Sequence, residues 1–378
     1  MEKIKLLDLD TRELEEFVES RNLPKYRAKQ IAEHLLDGAT FEEMTTLPKD
    51  VRAMLAECSA TGIPKVADVK RSKIDGTVKF LFEQEDGVLV ESVLMKYSYG
   101  YSVCISSQAG CKMGCKFCAS AGIPFSRSLS AGEILGQVIA VSKHENVRIG
   151  HIVIMGIGEP LDNYDNVVKF LRRVTADEGL NIGARKISVS TCGIVPKIYS
   201  LADEKLPVTL SVSLHNPFDS ERSKIMPINK KYALDELFEA CRYYTDKTKR
   251  RITFEYALIA GVNDSRRHAD ELAARMKKLK LCHVNLIPVN KVSGTGFERP
   301  DRKNIERFAG LLDAQGVSVT VRRELGRDID AACGQLRKQT AEERKAAEER
   351  KAAEQLKAAE ERKAAGQHKA TEEAEQTV

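Results

Sequence analysis

Between residues 102 and 321 the chain repeats one unit, a short run rich in Val and Ile followed by a stretch with helical periodicity. The spacing predicts strands at 102–106, 151–157, 186–190, 208–214, 252–259, 283–289 and 317–321. Helical stretches at 130–143, 166–175, 234–245, 265–278 and 304–314 fall between them. Strands joined through helices of crossover length run parallel, with the helices packed outside the sheet. The class is therefore α/β, and periodicity leaves an open doubly wound sheet and a partial barrel both in play.

The flanks read differently. Ahead of the repeat, Thr11 can cap a helix carrying Leu14, Phe17 and Val18, and Pro24 marks the entry to a second helix with Ile31, Leu35 and Leu36. Val78, Phe80 and Phe82 alternate up to a Glu85-Asp86-Gly87 turn, and an extended run follows to Met95, which predicts a β-hairpin. At the far end, residues 341–370 form five six-residue units of the AEERKA type. A period of six rotates an α-helix by about 120° per unit, so no apolar stripe is sustained. A solvated helix or disorder is expected there. The division is thus a helical accessory region at 1–76, expected to bind a nucleic-acid partner, a catalytic domain at 77–336, and a low-complexity tail at 337–378.

The 378 residues carry a formal charge of +5, all of it outside the tail, where basic and acidic residues balance. This is compatible with a nucleic-acid partner without demonstrating one. No apolar stretch approaches the ~18–20 residues that cross a bilayer, and the opening lacks a signal-peptide pattern, so a soluble cytoplasmic chain without a membrane partner is expected.

Four of the nine cysteines, Cys104, Cys111, Cys115 and Cys118, fall within fifteen residues, which argues for metal chemistry rather than a disulfide framework. Cys111, Cys115 and Cys118 recur at spacings of four and three, and soft thiolates suit iron or zinc. With Cys104 as a fourth ligand the set could close a zinc tetrahedron. With three ligands a [4Fe–4S] cluster keeps one iron open. Polar segments at 156–160, 190–193, 213–216 and 288–290 end four of the predicted strands, and ligands of parallel sheets gather at such ends.

In that setting the three-cysteine string resembles the signature of the radical S-adenosylmethionine (SAM) superfamily. A narrower resemblance, to the RlmN/Cfr family, spans approximately residues 9–336. It rests on ESVLMKY at 91–97, CISSQAGCKMGCKFC at 104–118, MGIGEPLDNYDNV at 155–167, SLHNPFDSERSKIMPINKKY at 213–232, CHVNLIPVN at 282–290 and DIDAACGQL at 328–336. The resemblance implies a partial (β/α)6 barrel with one [4Fe–4S] cluster on Cys111, Cys115 and Cys118. It implies a SAM cradle of Gly158, Glu159, Ser190, Ser213, Leu214, His215 and Asn290.

It further implies methylation of adenosine C2 in 23S ribosomal RNA at the peptidyl transferase centre and in transfer RNA next to the anticodon, with two SAM molecules per turnover. Cys333 would carry the methyl group, Cys104 would resolve the protein–RNA adduct by forming a disulfide with Cys333, and Glu91 would handle the proton. An external low-potential electron donor and a disulfide reductant would complete the cycle, and a monomer is expected. Adenine C2 is a poor nucleophile toward a sulfonium methyl, which explains the detour through a sulfur carrier. RNA contacts are expected from Lys112, Lys116 and Arg127 beside the cluster loop, from Lys224, Lys230 and Lys231, and from Arg322, Arg323 and Arg327. The nearest alternative is Cfr-like C8 methylation, and a more distant one is a non-catalytic RNA-binding iron–sulfur scaffold.

Overall fold

The computed structural model describes residues 3–290 and 296–331; Cys333 and the tail at 337–378 lie outside the described residues. Three helices open the chain, α1 (Thr11–Glu19), α2 (Tyr26–Leu36) and α3 (Lys49–Cys58). The expected cap residue of α1 is displaced by one: Asp10, not Thr11, accepts from the Glu13 amide at 2.8 Å while the Glu13 carboxylate accepts from the Asp10 amide at 2.7 Å. This reciprocal box satisfies two otherwise orphaned donors. Leu14, Phe17, Val18, Ile31 and Leu35 are buried as the periodicity predicts.

Ten strands form one mixed sheet. They are β1 (Lys65–Arg71), β2 (Val78–Glu83), β3 (Leu89–Tyr97), β4 (Gly100–Cys104), β5 (Ile149–Ile154), β6 (Ile187–Thr191), β7 (Thr209–Ser213), β8 (Ile252–Leu258), β9 (Cys282–Pro288) and β10 (Val319–Val321). Their spatial order follows the sequence order from β1 at one edge to β10 at the other. The first four pair antiparallel, and β4 through β10 are parallel. Crossovers between the parallel strands carry α4 (Ala131–Glu145), α5 (Tyr164–Thr175), α6 (Val195–Asp203), α7 (Asp219–Ile225), α8 (Leu234–Thr248), α9 (Arg266–Met276) and α10 (Arg302–Asp313). Among the described residues no helix is long and apolar enough to cross a membrane.

All seven predicted parallel strands are present, with ends shifted by a few residues. The edge strand β1 and the helices α3, α6 and α7 were not anticipated. β1 holds few apolar residues because an exposed edge needs few, α6 has a proline in its first turn, and α7 is only seven residues long. β1 joins the main sheet although it lies within the 1–76 region read as accessory.

Period-two alternation sorts the side chains. Ile152, Ile154, Val189, Leu210, Val212, Phe254 and Leu286 enter the core shared with the helices. Their alternates, including His151, Met155, Ser190, Ser213 and Glu255, face the other way. That inner face is enclosed because the sheet curls. The Arg322 guanidinium, just past β10, approaches the Met155 sulfur, just past β5, to 3.7 Å. Five strand spacings of ~4.8 Å would separate these positions by about 24 Å in a flat sheet. The segment after β10 then reaches the opposite edge: Asp328 accepts from the Ser72 hydroxyl at 2.7 Å, Asp75 accepts from the Gly326 amide at 2.8 Å, and Lys79 donates to the Asp330 carbonyl at 3.1 Å.

The N-terminal region docks on α4 through backbone. A Cβ at Gly132 would lie 2.5 Å from the Leu7 carbonyl carbon, and one at Gly136 would lie 2.7 Å from the Gly62 oxygen. Beside this contact Glu133 boxes the N-terminus of α4 with Ser130 and accepts from both Arg127 and Lys5 at 2.6 Å. Burial alone would raise the Glu133 pKa, but these hydrogen bonds outweigh it and hold the carboxyl below its ordinary value of 4.5.

Gly132→Ala should lower unfolding stability by about 1–3 kcal/mol, since the added methyl meets backbone rather than a flexible side chain; an unchanged urea midpoint would refute the docking account. For Glu133 the folded pKa is depressed, so its stabilisation is present above pH 4.5 and fades as pH falls through the folded value. Unfolding of wild type and Glu133→Gln measured from neutral pH downward should therefore differ most near neutrality and converge in acid.

Candidate active site

The cluster loop leaves the sheet just after β4. Gln108–Ala109 pairs antiparallel with Arg127–Ser128 and closes the base of the loop. Gly110 sits at φ +83°, where any Cβ would strike the Pro124 carbonyl oxygen at 2.2 Å, so the closure depends on glycine. Halfway round, the Lys116 amide donates to the Ile225 carbonyl at 3.0 Å, pinning the loop to the end of α7.

Cys111, Cys115 and Cys118 line a cavity of about 160 Å³ beneath this loop. The strand ends supply its other wall: Gly158, Glu159, Ser190, Ser213, His215 and Asn290 line it too. Nine of the ten residues expected to hold cluster or SAM thus meet in one place. Leu214 is the exception, because its side chain packs in the main core.

Each expected residue is held by its neighbours. Gly158 lies at φ +105°, with Gln108 where a Cβ would be. The Glu159 carboxylate accepts from the Cys192 and Leu161 amides at 2.7 and 3.0 Å, and burial raises its pKa against those two bonds. His215 occupies the left-handed region at φ +56°, which is strained for a residue with a Cβ. Its Nδ1 accepts from the Ala257 amide at 2.8 Å, which places the proton of the neutral ring on Nε2. Burial, reinforced by nearby Arg222, depresses its pKa to about 3, so the ring is neutral at physiological pH. Phe117 packs edge-on against this ring at 4.5 Å.

The thiols fit an iron–sulfur cluster by their chemistry. Burial raises Cys111 to about 11 and Cys115 further still, and Cys118 and Glu159 add to the rise in both, with Asp162 adding at Cys111 and Cys111 adding at Cys115. A cationic centre held among them would favour the thiolate form that burial disfavours. Among the described residues no three His, Cys, Asp or Glu side chains converge on a single ion. Cys104 stands apart, in a separate apolar cluster with Val93, Met95, Ile123, Ile157, Leu325 and Ala331.

That second cluster gathers the other expected residues. Val93 is directly opposite Cys104 across the β3–β4 ladder, and Glu91 lies two positions before Val93, on the same face. Glu91 is buried and pairs with Lys79 at 2.9 Å. Because Lys79 also binds the Asp330 carbonyl, the chain approaching Cys333 is anchored beside Glu91 and Cys104. Of the expected RNA contacts, Arg127 is committed elsewhere, to Glu133 and Asp86, and Lys112 pairs with Asp162 at 3.1 Å. Arg322 lines the cavity.

Two residues escaped sequence reading. Arg222 is fully buried and donates to the carbonyls of Leu214, Cys192 and Ser213 and to Asn229 Oδ1, all at 2.8–2.9 Å. No pattern distinguishes it from a surface arginine. Glu255 lines the cavity, accepts from Asn285 at 2.8 Å, and has its pKa raised by burial. Its signal was a lone charge within an otherwise mainly apolar strand.

Comparison with known proteins agrees with this arrangement. Residues 105–274 match the radical SAM superfamily model, and residues 4–60 match that of the ribosomal RNA large subunit methyltransferase N-terminal domain. The chain is 51% identical over 334 residues to a probable dual-specificity RNA methyltransferase RlmN of Clostridium botulinum, covering 88% of this chain and 96% of that one. A protein of the same description from Clostridium novyi is 50% identical over 335 residues, covering 88% and 97%. A crystal structure of a radical SAM methyltransferase from Sphaerobacter thermophilus superposes with a TM-score of 0.85 at 44% identity, over 88% of this chain and 99% of that one. With its cysteine loop, its cavity at the strand ends and these relatives, the chain belongs to the RlmN family of the radical SAM superfamily.

Proposed function

We propose that this chain methylates C2 of adenosine in 23S ribosomal RNA at the peptidyl transferase centre and in transfer RNA next to the anticodon, using two SAM molecules per turnover. The observation that carries the reading is the shared cavity, in which Cys111, Cys115 and Cys118 face Gly158, Ser190, Ser213 and Asn290. The relatives are dual-specificity RNA methyltransferases by description, which supports two RNA substrates.

In this reading Cys111, Cys115 and Cys118 hold a [4Fe–4S] cluster, which supplies the electron that cleaves the SAM sulfonium. Glu159, oriented by two backbone amides, and the strand-end hydroxyls of Ser190 and Ser213 orient the amino acid and ribose of SAM. Neutral His215 offers an Nε2–H donor, and Phe117 shields the ring from water. Cys333 carries the methyl group as its thioether. Cys104 forms the disulfide with Cys333 that releases the product, and Glu91, poised on Lys79, handles the proton at the adduct. An electron donor and a disulfide reductant act from outside the chain. The accessory region at 1–76 contributes to RNA binding, and residues 77–336 form the catalytic unit.

Anaerobic turnover with isotopically labelled SAM and both RNAs, followed by nucleoside mass spectrometry, should yield C2-methyladenosine. C8-methyladenosine would overturn the positional assignment, and no methylated adenosine from cluster-loaded protein would support a binding scaffold instead. Cys333→Ala should keep the cluster's visible absorption and lose methyl transfer by at least about 1000-fold, as expected when an essential nucleophile is removed. Multiple turnover by that variant would exclude Cys333 as the carrier.

A further inference from the structure

A second, smaller cavity of about 40 Å³ adjoins the first and shares Ile287, Asn290 and Arg322 with it. Tyr97 and Met95 from β3 form one side, and Arg299, Arg322 and Arg323 bring three guanidinium groups to it, the first of them paired with Glu324, which also lines it. The cavity lies where the curled sheet is open, between β3 and the segment after β10. Its contents differ from those of the first: one aromatic ring, three arginines and Glu324, with no cysteine.

Tyr97 continues into an aromatic surface. Tyr97 pairs with Gly100 across a two-residue hairpin turn made of Ser98 and Tyr99. Such turns favour Gly, Asn and Asp, so folding does not ask for an aromatic ring there. Tyr99 is nevertheless 61% exposed, and its ring stacks on Tyr97 at 5.0 Å with 7° between the planes. His151 packs edge-on against Tyr99 at 4.7 Å, and its buried Nδ1 has no hydrogen-bond partner among the described residues.

A flat, solvent-facing aromatic stack bordered by arginines is the combination that binds single-stranded nucleic acid, because every base has a π-face and every linkage a phosphate. Resting on the reading that RNA is the substrate, we infer that Tyr97 and Tyr99, with Arg322 and Arg323, form a stacking platform for an unpaired base next to the extruded adenosine. The adenosine enters the larger cavity while its neighbour stacks on Tyr99, and the arginines hold the intervening phosphates. The platform explains how an enzyme selects adenosines in unpaired regions without reading a duplex groove.

The test is equilibrium binding of the full-length, cluster-loaded protein to a fluorescent RNA stem-loop with adenosine in its loop, against a fully paired duplex of the same composition, at several salt concentrations. Tyr99→Ala should weaken stem-loop binding by about 5- to 150-fold with an unchanged salt slope, and Tyr99→Phe, which keeps the ring, should bind as wild type does. Arg323→Gln should instead make the salt slope shallower by about one. RNA with an abasic nucleotide beside the adenosine should reproduce the loss with wild type and cause no further loss with Tyr99→Ala. If wild type prefers the stem-loop but Tyr99→Ala and the abasic RNA both bind undiminished, the platform is refuted while the RNA reading stands. If wild type shows no preference for the stem-loop, the RNA reading itself fails. The abasic RNA tests the stack on the unaltered protein, so misfolding of a variant cannot decide the matter.

Discussion

A single buried guanidinium holds the rim of the cavity together. Arg222 ties the ends of β6 and β7 to the turn after α7 by donating to three carbonyls and one side-chain oxygen. An unpaired charge in such a place would cost on the order of several kcal/mol, and the four bonds offset that. Burial lowers its pKa to about 10, which still leaves it charged at neutral pH. The residue that fixes the geometry of the rim also prepares it electrostatically for thiolates. Strand ends, cluster loop and α7 become one rigid unit around it.

The curl of the sheet does the rest. A flat sheet would spread its strand ends over a long line and leave the C-terminal segment far from β3. Curled, it brings Met155 against Arg322 and lets residues 325–331 cross to the opposite edge. Two chemically distinct compartments result, one lined by the three cluster thiols and one containing Cys104 beside Glu91 and the approach to Cys333. Cys104 stays out of the thiol cavity, which leaves three cysteines there as proposed ligands, the number that would keep one iron of a cluster open.

The N-terminal region is less separate than a linker-joined domain. Its leucines belong to the same hydrophobic core as the barrel helices, and Gly132 and Gly136 remove the side chains that would hold the backbones apart. Its orientation relative to the catalytic rim is thereby fixed, a useful property in a region proposed to share an RNA substrate with that rim. The Lys5–Glu133–Arg127 network links this docking surface to the base of the cluster loop.

The parallel strands were legible because burial of one face imposes a Val and Ile alternation that survives without any knowledge of neighbours. That Cys111, Cys115 and Cys118 would line one cavity was legible because ligands of one small group must lie close in the chain when a single loop supplies them. Glycine and hydroxyl residues at strand ends pointed to a site for the same local reason. Arg222 and Glu255 were invisible as site residues, since each is defined by partners distant in sequence, and β1 was missed because an edge strand has little to bury. Sequence alone thus determined the repeating elements and the local donor set, which depend on nearest neighbours. Only the tertiary structure decided which strand ends converge, that Cys104 is set apart from the other thiols, and that an aromatic hairpin turn stands at the mouth, because those facts follow from the curl of the sheet.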